Sequence, residues 1–541
     1  MSERTFQQPA ASNVQAKFSD LPTAETERST FDMSHPWKGT TYTNRITPCL
    51  LQEILPGDTF NIQTTAFMRL ATPLKPVMDS ITADMHFFFV PNRLVWDNWE
   101  FFMGERKKPE DDPNTVSIPQ LNIDLTIDYW TENLADYFGL PLFDVAAGQA
   151  ETSVNTLPFR GYELIFNDWY RNQNIGVHTD VPTDDGPDEI DDQGFGLGTI
   201  KLRHKKGDYF TRALPWPQKG DPVFLPLGTD APVVGNGAPT FNIGTTQNSR
   251  IGSFAGGDSR SVDFETHQYQ GDDAASWNLP ALVTDLSQAT AATINDIRTA
   301  FQIQRLLERD ARGGTRYIEI LLSHFNVQSP DFRLQRPEYI GGGSSRIIIN
   351  PVASTVATDD APQGNLSAVG TGLLKASMNH SFTEHGYLFA LTSCRQDLTY
   401  QTGLDRIWSR QTRYDFYWPA LSHLGEQQIL NKEVHFDIQN ANNINDGTWG
   451  YQERYAEYRY QPGRITGKFR SNNPESLDVW HLAQDFEELP LLNITFLNER
   501  SPIDRIVAVP SEPDLIVDIW HQITATRAMP VYAVPGLVDH F

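Results

Sequence analysis

Strand-forming runs lie scattered along this chain, separated by insertions too long and irregular for a repeating βαβ series. TFNIQTTAFMRLA from Thr59 and MHFFFVP from Met85 are rich in β-branched and aromatic residues and are punctuated by Pro or Gly. GYLFALTSC from Gly386, EVHFDIQ from Glu433, LNITFLN from Leu492 and DLIVDIWHQITAT from Asp514 are further strand candidates. A β-domain elaborated by long connections fits that spacing, and the 37 Gly and 35 Pro supply its turns. Helices are few. Thr293 and Asp296 form a capping pair ahead of Ile294, Ile297, Phe301 and Leu307, with Gly313 and Gly314 as the stop. NRLVWDNWEFFMGE from Asn92 brings Leu94, Val95, Asn98, Trp99 and Phe102 near one helical face, and its aromatics read as core.

Charge sets the next limit. Lys and Arg number 43 against 68 Asp and Glu, a formal net charge of -25, which excludes a generally basic nucleic-acid coat. The 39% of apolar residues is enough to bury a large core. Cys49 and Cys394 alone cannot make a disulfide framework, which fits assembly in a reducing cytoplasm. The N-terminal residues contain no apolar export segment, and no run approaches the roughly 18 apolar residues of a membrane span.

Three segments stand apart in composition. Residues 1–30 are polar and read either as a frayed terminus or as an arm that orders against neighbouring subunits. Residues 221–292 hold eight Gly, eight acids and no Lys, too long a stretch to remain a bare connection in a compact domain. Val233, Val234, Phe241, Ile243, Ile251 and Phe254 would be hidden there by self-association; a flexible glycine-rich surface loop is the other reading. DVPTDDGPDEIDD from Asp180 carries seven acids and no base, so mutual repulsion is expected to keep it in water.

Catalytic signatures fail one by one. GFGLG from Gly194 lacks the spacing of a phosphate-cradling loop, and IGSFAG from Ile251 does not spell a nucleophile elbow. His380 and His385 flank Glu384 at a separation that misses the helical i, i+4 geometry for a shared metal. No enzyme, metal or cofactor is expected. The strongest local binding pattern is YQERYAEYRYQPGRITGKFR from Tyr451, where Arg454, Arg459, Arg464, Lys468 and Arg470 face only Glu453 and Glu457, a balance of 5 − 2 = +3. Tyr455, Tyr458, Tyr460 and Phe469 could stack on unpaired bases while the cations meet phosphates. A strand with solvent-facing cations and core aromatics explains the same residues. KLRHKK from Lys201 contains no aromatic and ranks as the weaker candidate.

Several blocks carry a resemblance. RSTFDMSH from Arg28, LPGDTF from Leu55, MDSITADMHFFFVPNRLVWDNWEFFMGE from Met78, GDYFTRALPWPQKG from Gly207, LLERDARGGTRYIE from Leu306, SPDFRLQRPEYIGG from Ser329, GYQERYAEYRY from Gly450 and MPVYAVPGLVDHF from Met529 occur in one order. That ordered set resembles the major capsid proteins of the Microviridae, specifically the gokushovirus branch. The resemblance implies an eight-stranded antiparallel jelly-roll β-barrel with long insertions, spanning residues 31–541 behind the arm. It implies a T=1 icosahedral shell of about sixty copies around a circular single-stranded DNA genome. It further implies an internal scaffolding protein, a DNA pilot protein, a small basic DNA-binding protein and a bacterial surface receptor as partners. Residues 221–292 then correspond to a threefold protrusion used in host attachment. The competing expectation is a carbohydrate-binding or carbohydrate-cleaving β-sandwich, because aromatic-rich β chains with many carboxylates also suit sugars.

Overall fold

In the computed structural model the described residues lie between 27 and 532, without 109, 191–196, 225–232, 236–239, 244–245, 253–262, 265–274, 280–281, 285–293, 314–316, 327–334, 357–361 and 499–501. The expected arm therefore falls outside them except for its last four residues. The chain divides into two compact units, residues 1–215 together with 329–541, and residues 216–328.

One antiparallel sheet dominates the larger unit. Its strands are β1 (Ser29–Asp32), β2 (His35–Thr41), β3 (Thr47–Ile54), β4 (Thr59–Leu70), β5 (Ile81–Pro91), β6 (Glu338–Ala353), β7 (Leu366–Ser381), β8 (Gly386–Gln396) and β9 (Leu515–Arg527). Their order is β1-β9-β4-β7-β6-β5-β8-β3, and β2 continues β1 along the same edge of β9. Taking β1 and β2 as one interrupted edge leaves eight strands, wound as two four-stranded halves joined through the β6–β7 pair. This is the jelly roll expected from the sequence, curled as one continuous sheet.

Side-chain patterning explains the pairing. On β4 the residues Phe60, Ile62, Ala66, Met68 and Leu70 are buried, and on β9 so are Leu515, Val517, Ile519 and Ile523, each alternating with outward neighbours. A slip of one residue from the register that sets Leu70 opposite Leu515 would turn every one of these groups to water. β5 and β8 do not alternate because both of their faces are covered. Met85, Phe87, Phe89 and Leu388 share a core with β4 and β9, whereas Phe88, Val90, Phe389 and Leu391 join a second core with helix α1 (Leu157–Ile165). Between β7 and β5, β6 needs glycine: a Cβ on Gly343 would stand 2.0 Å from the Lys375 carbonyl oxygen, and one on Gly342 would stand 2.3 Å from that of Met85.

Four expectations change on folding. EVHFDIQ is no strand: Asn431–Val434 turns helically, because the Glu433 carboxylate accepts from Leu430 N at 2.9 Å and from Arg406 Nη1 at 2.8 Å. LNITFLN forms the helix Ile494–Asn498, since Asn493 Oδ1 accepts from Phe496 N at 3.0 Å and caps it. The helix proposed from Asn92 breaks into two short turns, Asn92–Leu94 and Trp99–Phe102, although Trp96 is buried in the second core with Trp99 and Phe102 against it. The acidic run from Asp180 is not wholly solvated. Asp188 is buried, binding the fully buried Arg160 through Nε at 2.7 Å and Nη2 at 2.6 Å, and Asp185 accepts from Trp96 Nε1 at 2.7 Å.

Within the smaller unit, strands Asp263–Phe264, Thr246–Gly252, Thr240–Ile243 and Ala275–Leu279 form a sheet in that order, and Val233–Gly235 pairs Leu282–Thr284. Phe241 sits in register between Ser249 and Trp277, and Ile243 lies opposite Thr246 and Ala275. Val234 pairs Val283, Val233 pairs Thr284, and Ile251 pairs Phe264. Phe254 lies outside the described residues. Helix α2 (Ile294–Gly313) carries Asp296 in its first turn; its expected cap Thr293 lies outside the described residues.

Candidate nucleic-acid interface

The run from Tyr451 begins as a strand, Thr448–Glu453, paired with Glu426–Leu430. The strand reading ends there. Tyr455 adopts a left-handed φ of 63°, and short turns follow at Ala456–Tyr458 and Gly467–Phe469. Acidic partners from within the run, just beyond it and farther along the chain meet its cations. Arg464 binds Asp405 at 2.9 Å, Arg459 binds Glu453 at 2.5 Å, and Lys468 pairs with Glu475. Arg454 lies 4.8 Å over the Tyr455 ring and donates to the Tyr414 carbonyl at 3.3 Å. Arg470 is exposed and forms no ion pair among the described residues. The rings divide likewise. Tyr455 is buried edge-on to Tyr417, Tyr460 stacks on Tyr209 at 5.5 Å and 11°, and half-exposed Tyr458 sits under the Arg410 guanidinium at 4.3 Å.

KLRHKK is paired as well, Lys201 with Glu163 and Lys206 with Asp397, each at 3.1 Å, but its central residues lie at a cavity. Helix α1 runs on into a π-helical turn, Phe166–Tyr170, which presents the consecutive Trp169 and Tyr170 to one cavity of about 370 Å³. His86 and Phe88 enter from β5, Tyr339 from β6, Arg395 from β8, and Arg203, His204 and Lys205 from the basic run. The aromatic rings hold one another: Phe88 lies 5.6 Å from both Trp169 and Tyr339, and Trp169 Nε1 donates to the Pro337 carbonyl at 2.9 Å. The Arg336 guanidinium lies 4.9 Å over the Trp169 ring.

Behind the cavity, Asp84 serves two guanidiniums, Arg203 at 2.7 Å and Arg395 at 3.0 Å, and accepts from Ser344 at 2.7 Å. Burial pulls its carboxyl up, but Arg203, Ser344 and Arg395 together more than offset that and hold it below the usual range. Burial, helped by Arg203, pushes His86 down to about 4, and burial with Arg171 does the same to His204. Both imidazoles are therefore neutral at pH 7. Tyr170 OH, bonded to His86 Nδ1 at 2.8 Å, is held protonated by burial.

The histidines considered for a metal go elsewhere. Glu384 takes two bonds from Arg93, at 2.7 and 3.1 Å, His380 faces Glu338 at 3.4 Å, and His385 packs edge-on to Trp99.

Residues 19–537 match the family described as capsid protein (F protein). The chain belongs to that capsid protein family. It is 45% identical to the capsid protein VP1 of Bdellovibrio phage phiMH2K over 97% of this chain and 98% of that one. With the capsid protein VP1 of Chlamydia phage 1 the identity is 38% over 96% and 97%, and with that of Spiroplasma virus 4 it is 35% over 91% and 92%. The kinship with gokushovirus capsid proteins read from the ordered motifs thus holds, and it makes this a structural component of a virion.

In this capsid chain the sequence reading also missed DRIWSRQTRYDFYW from Asp405. Trp408 is 73% exposed, and Tyr414, Phe416 and Trp418 are about half exposed beside it. Arg410 lies 5.3 Å over Phe416, and Arg413 lies 4.7 Å over Tyr414. The signal was present as three arginines interleaved with five aromatics in fourteen residues. Among the described residues no helix is long and apolar enough to cross a membrane.

Proposed function

We propose that this chain is the major capsid protein of a small phage and closes, in about sixty copies, into a T=1 icosahedral shell around a circular single-stranded DNA genome. The observation that carries self-association is the outer face of the β9-β4-β7 sheet. Phe67 stands directly opposite Leu373, with Ile516 and Trp520 on the same face, and all four are about half exposed in the single chain. Asp518 and Arg69 stand among them, so the face mixes large apolar groups with charges, a make-up that an interface between copies would cover. Assembly takes place in the host cytoplasm, with scaffolding, pilot and small basic DNA-binding proteins as partners. The insertion at 221–292 forms the threefold protrusion that meets a bacterial receptor. Arg459, Arg464, Lys468 and Arg470 face the genome, with acidic neighbours moderating the contact.

A copy bearing -25 repels its neighbours, so screening should help purified chains associate as ionic strength rises from very low values. Light scattering across a salt series, followed by electron microscopy, tests the reading. Uniform closed shells support it. Monomers at every salt concentration, or assemblies without icosahedral order, reject it.

A further inference from the structure

Two basic regions compete for contact with the genome, and one of them lines a cavity with aromatic rings and guanidiniums and, among the described residues, no carboxylate. No carboxylate lines the cavity around Arg203 among the described residues, whereas Asp405, Glu433 and Glu457 line the one beside Arg464 and Arg470. Asp84 cannot neutralise both guanidiniums that share it, which leaves one positive charge in excess on that pair. Arg395 Nε and His204 Nε2 are buried with no hydrogen-bond partner among the described residues. Trp169 is 38% exposed and Tyr339 44%, although both are anchored from behind by Phe88. Unpaired nitrogens beside two partly exposed rings, Tyr339 and an indole with Arg336 over it, fit a ligand that is anionic at one end and planar at the other.

We propose that this cavity seats one nucleotide of single-stranded DNA, its phosphodiester on Arg203 and Arg395 and its base against Trp169 and Tyr339. A nucleotide uses both halves of the site, the cations through its phosphate and the rings through its base. An acidic peptide would use the first and leave the rings idle. At about 370 Å³ the cavity lies at the small end of ligand sites, enough for a single unit rather than a duplex. The neutral His86 and His204 add donors and acceptors without adding charge. This assignment rests on the capsid reading and narrows it to a place.

The test uses the full chain and a fluorescein-labelled twelve-nucleotide oligothymidylate, read by anisotropy over a salt series. Trp169→Leu should weaken binding about tenfold and leave the salt slope alone, because it removes stacking only. Arg395→Gln should weaken binding and also flatten the slope by about 0.7 for each phosphate that is no longer neutralised. Asp84 keeps Arg203 in the second variant, so a folded protein is expected even if the first proves unstable. Unchanged affinity in Arg395→Gln, or displacement of the oligonucleotide by polyglutamate as readily as by unlabelled oligothymidylate, overturns the assignment. Electron microscopy of the same samples separates the two claims: normal shells with cavity-independent binding sink the nucleotide site alone, whereas an absence of shells sinks the capsid reading.

Discussion

The segment from Tyr451 to Arg470 and the cavity around Arg203 start from opposite promise. In sequence the first holds five cations and interleaved tyrosines, and the second only a short basic run with no ring in it. On folding, Glu453, Asp405 and Glu475 pair three cations of the first, while Tyr455 and Tyr460 turn into packed contacts. The second gathers four aromatic side chains from β5, β6 and the π-helical turn, along with Arg395 from β8. A net count of charge is therefore a poor guide, because a segment's own acid such as Glu453, a neighbour such as Glu475 and a distant one such as Asp405 each take a cation. What decides is which charges the fold leaves without a counter-ion.

The sharpest way to break that contrast is to remove the buried acid. Asp84→Asn leaves Arg203 and Arg395 facing each other with no carboxylate, which should cost about 3–5 kcal/mol of stability. Glu453→Gln, at a surface pair, should cost less than about 1 kcal/mol. Denaturant midpoints for the two variants measure the difference. Equal costs would mean that the two regions hold their charges in the same way.

How much of this was legible follows from the same distinction. Alternating runs such as β4 and β9 are local patterns and were read as strands, whereas β6 and β7 were not, and the jelly roll that joins them came from the resemblance. The sequence misled where a distant group intervened: Arg406 bends Glu433 into a turn, and Arg160 draws Asp188 out of an otherwise solvated acidic run. Asn493 was a local cap, overlooked because Ile494 and Thr495 look like strand residues. The cavity was illegible for a stronger reason. Its lining residues fall at 86–88, 169–170, 203–205, 339 and 395, so no window of the chain contains it.

Acid should sharpen the contrast next. His86 and His204 at the cavity keep their rings neutral down to about 4, as does His521, which donates to the Cys49 carbonyl and accepts from Thr64. In the unfolded chain an imidazole takes its proton near pH 6.5. The unfolded state thus binds more protons between about 6.5 and 4, and stability falls as pH drops through that window, by on the order of 1–3 kcal/mol per ring. The segment from Tyr451 to Arg470 contains no histidine, so substitutions there should leave this acid limb in place. His204→Phe should move the fall in melting temperature to lower pH; a profile identical to that of the unaltered chain would show that this ring bears no proton-linked cost.

The smallest effect on stability carries the most information about the surface segment. Glu453→Gln, Asp405→Asn and Glu475→Gln together release Arg459, Arg464 and Lys468 from their partners, at a combined cost on the order of 1 kcal/mol because the pairs are solvent-facing. If the segment faces DNA, the three freed cations become available to phosphates. The slope of log affinity against log salt for single-stranded DNA should then steepen by about 2, from roughly 0.7 for each further phosphate neutralised. Arg395→Gln alters that slope in the opposite direction, so it can be combined with these substitutions in one protein and the effects should add if the regions touch separate stretches of the strand. A slope that stays fixed when these acids are removed would assign the segment to structure alone and leave the cavity as the region that meets nucleic acid.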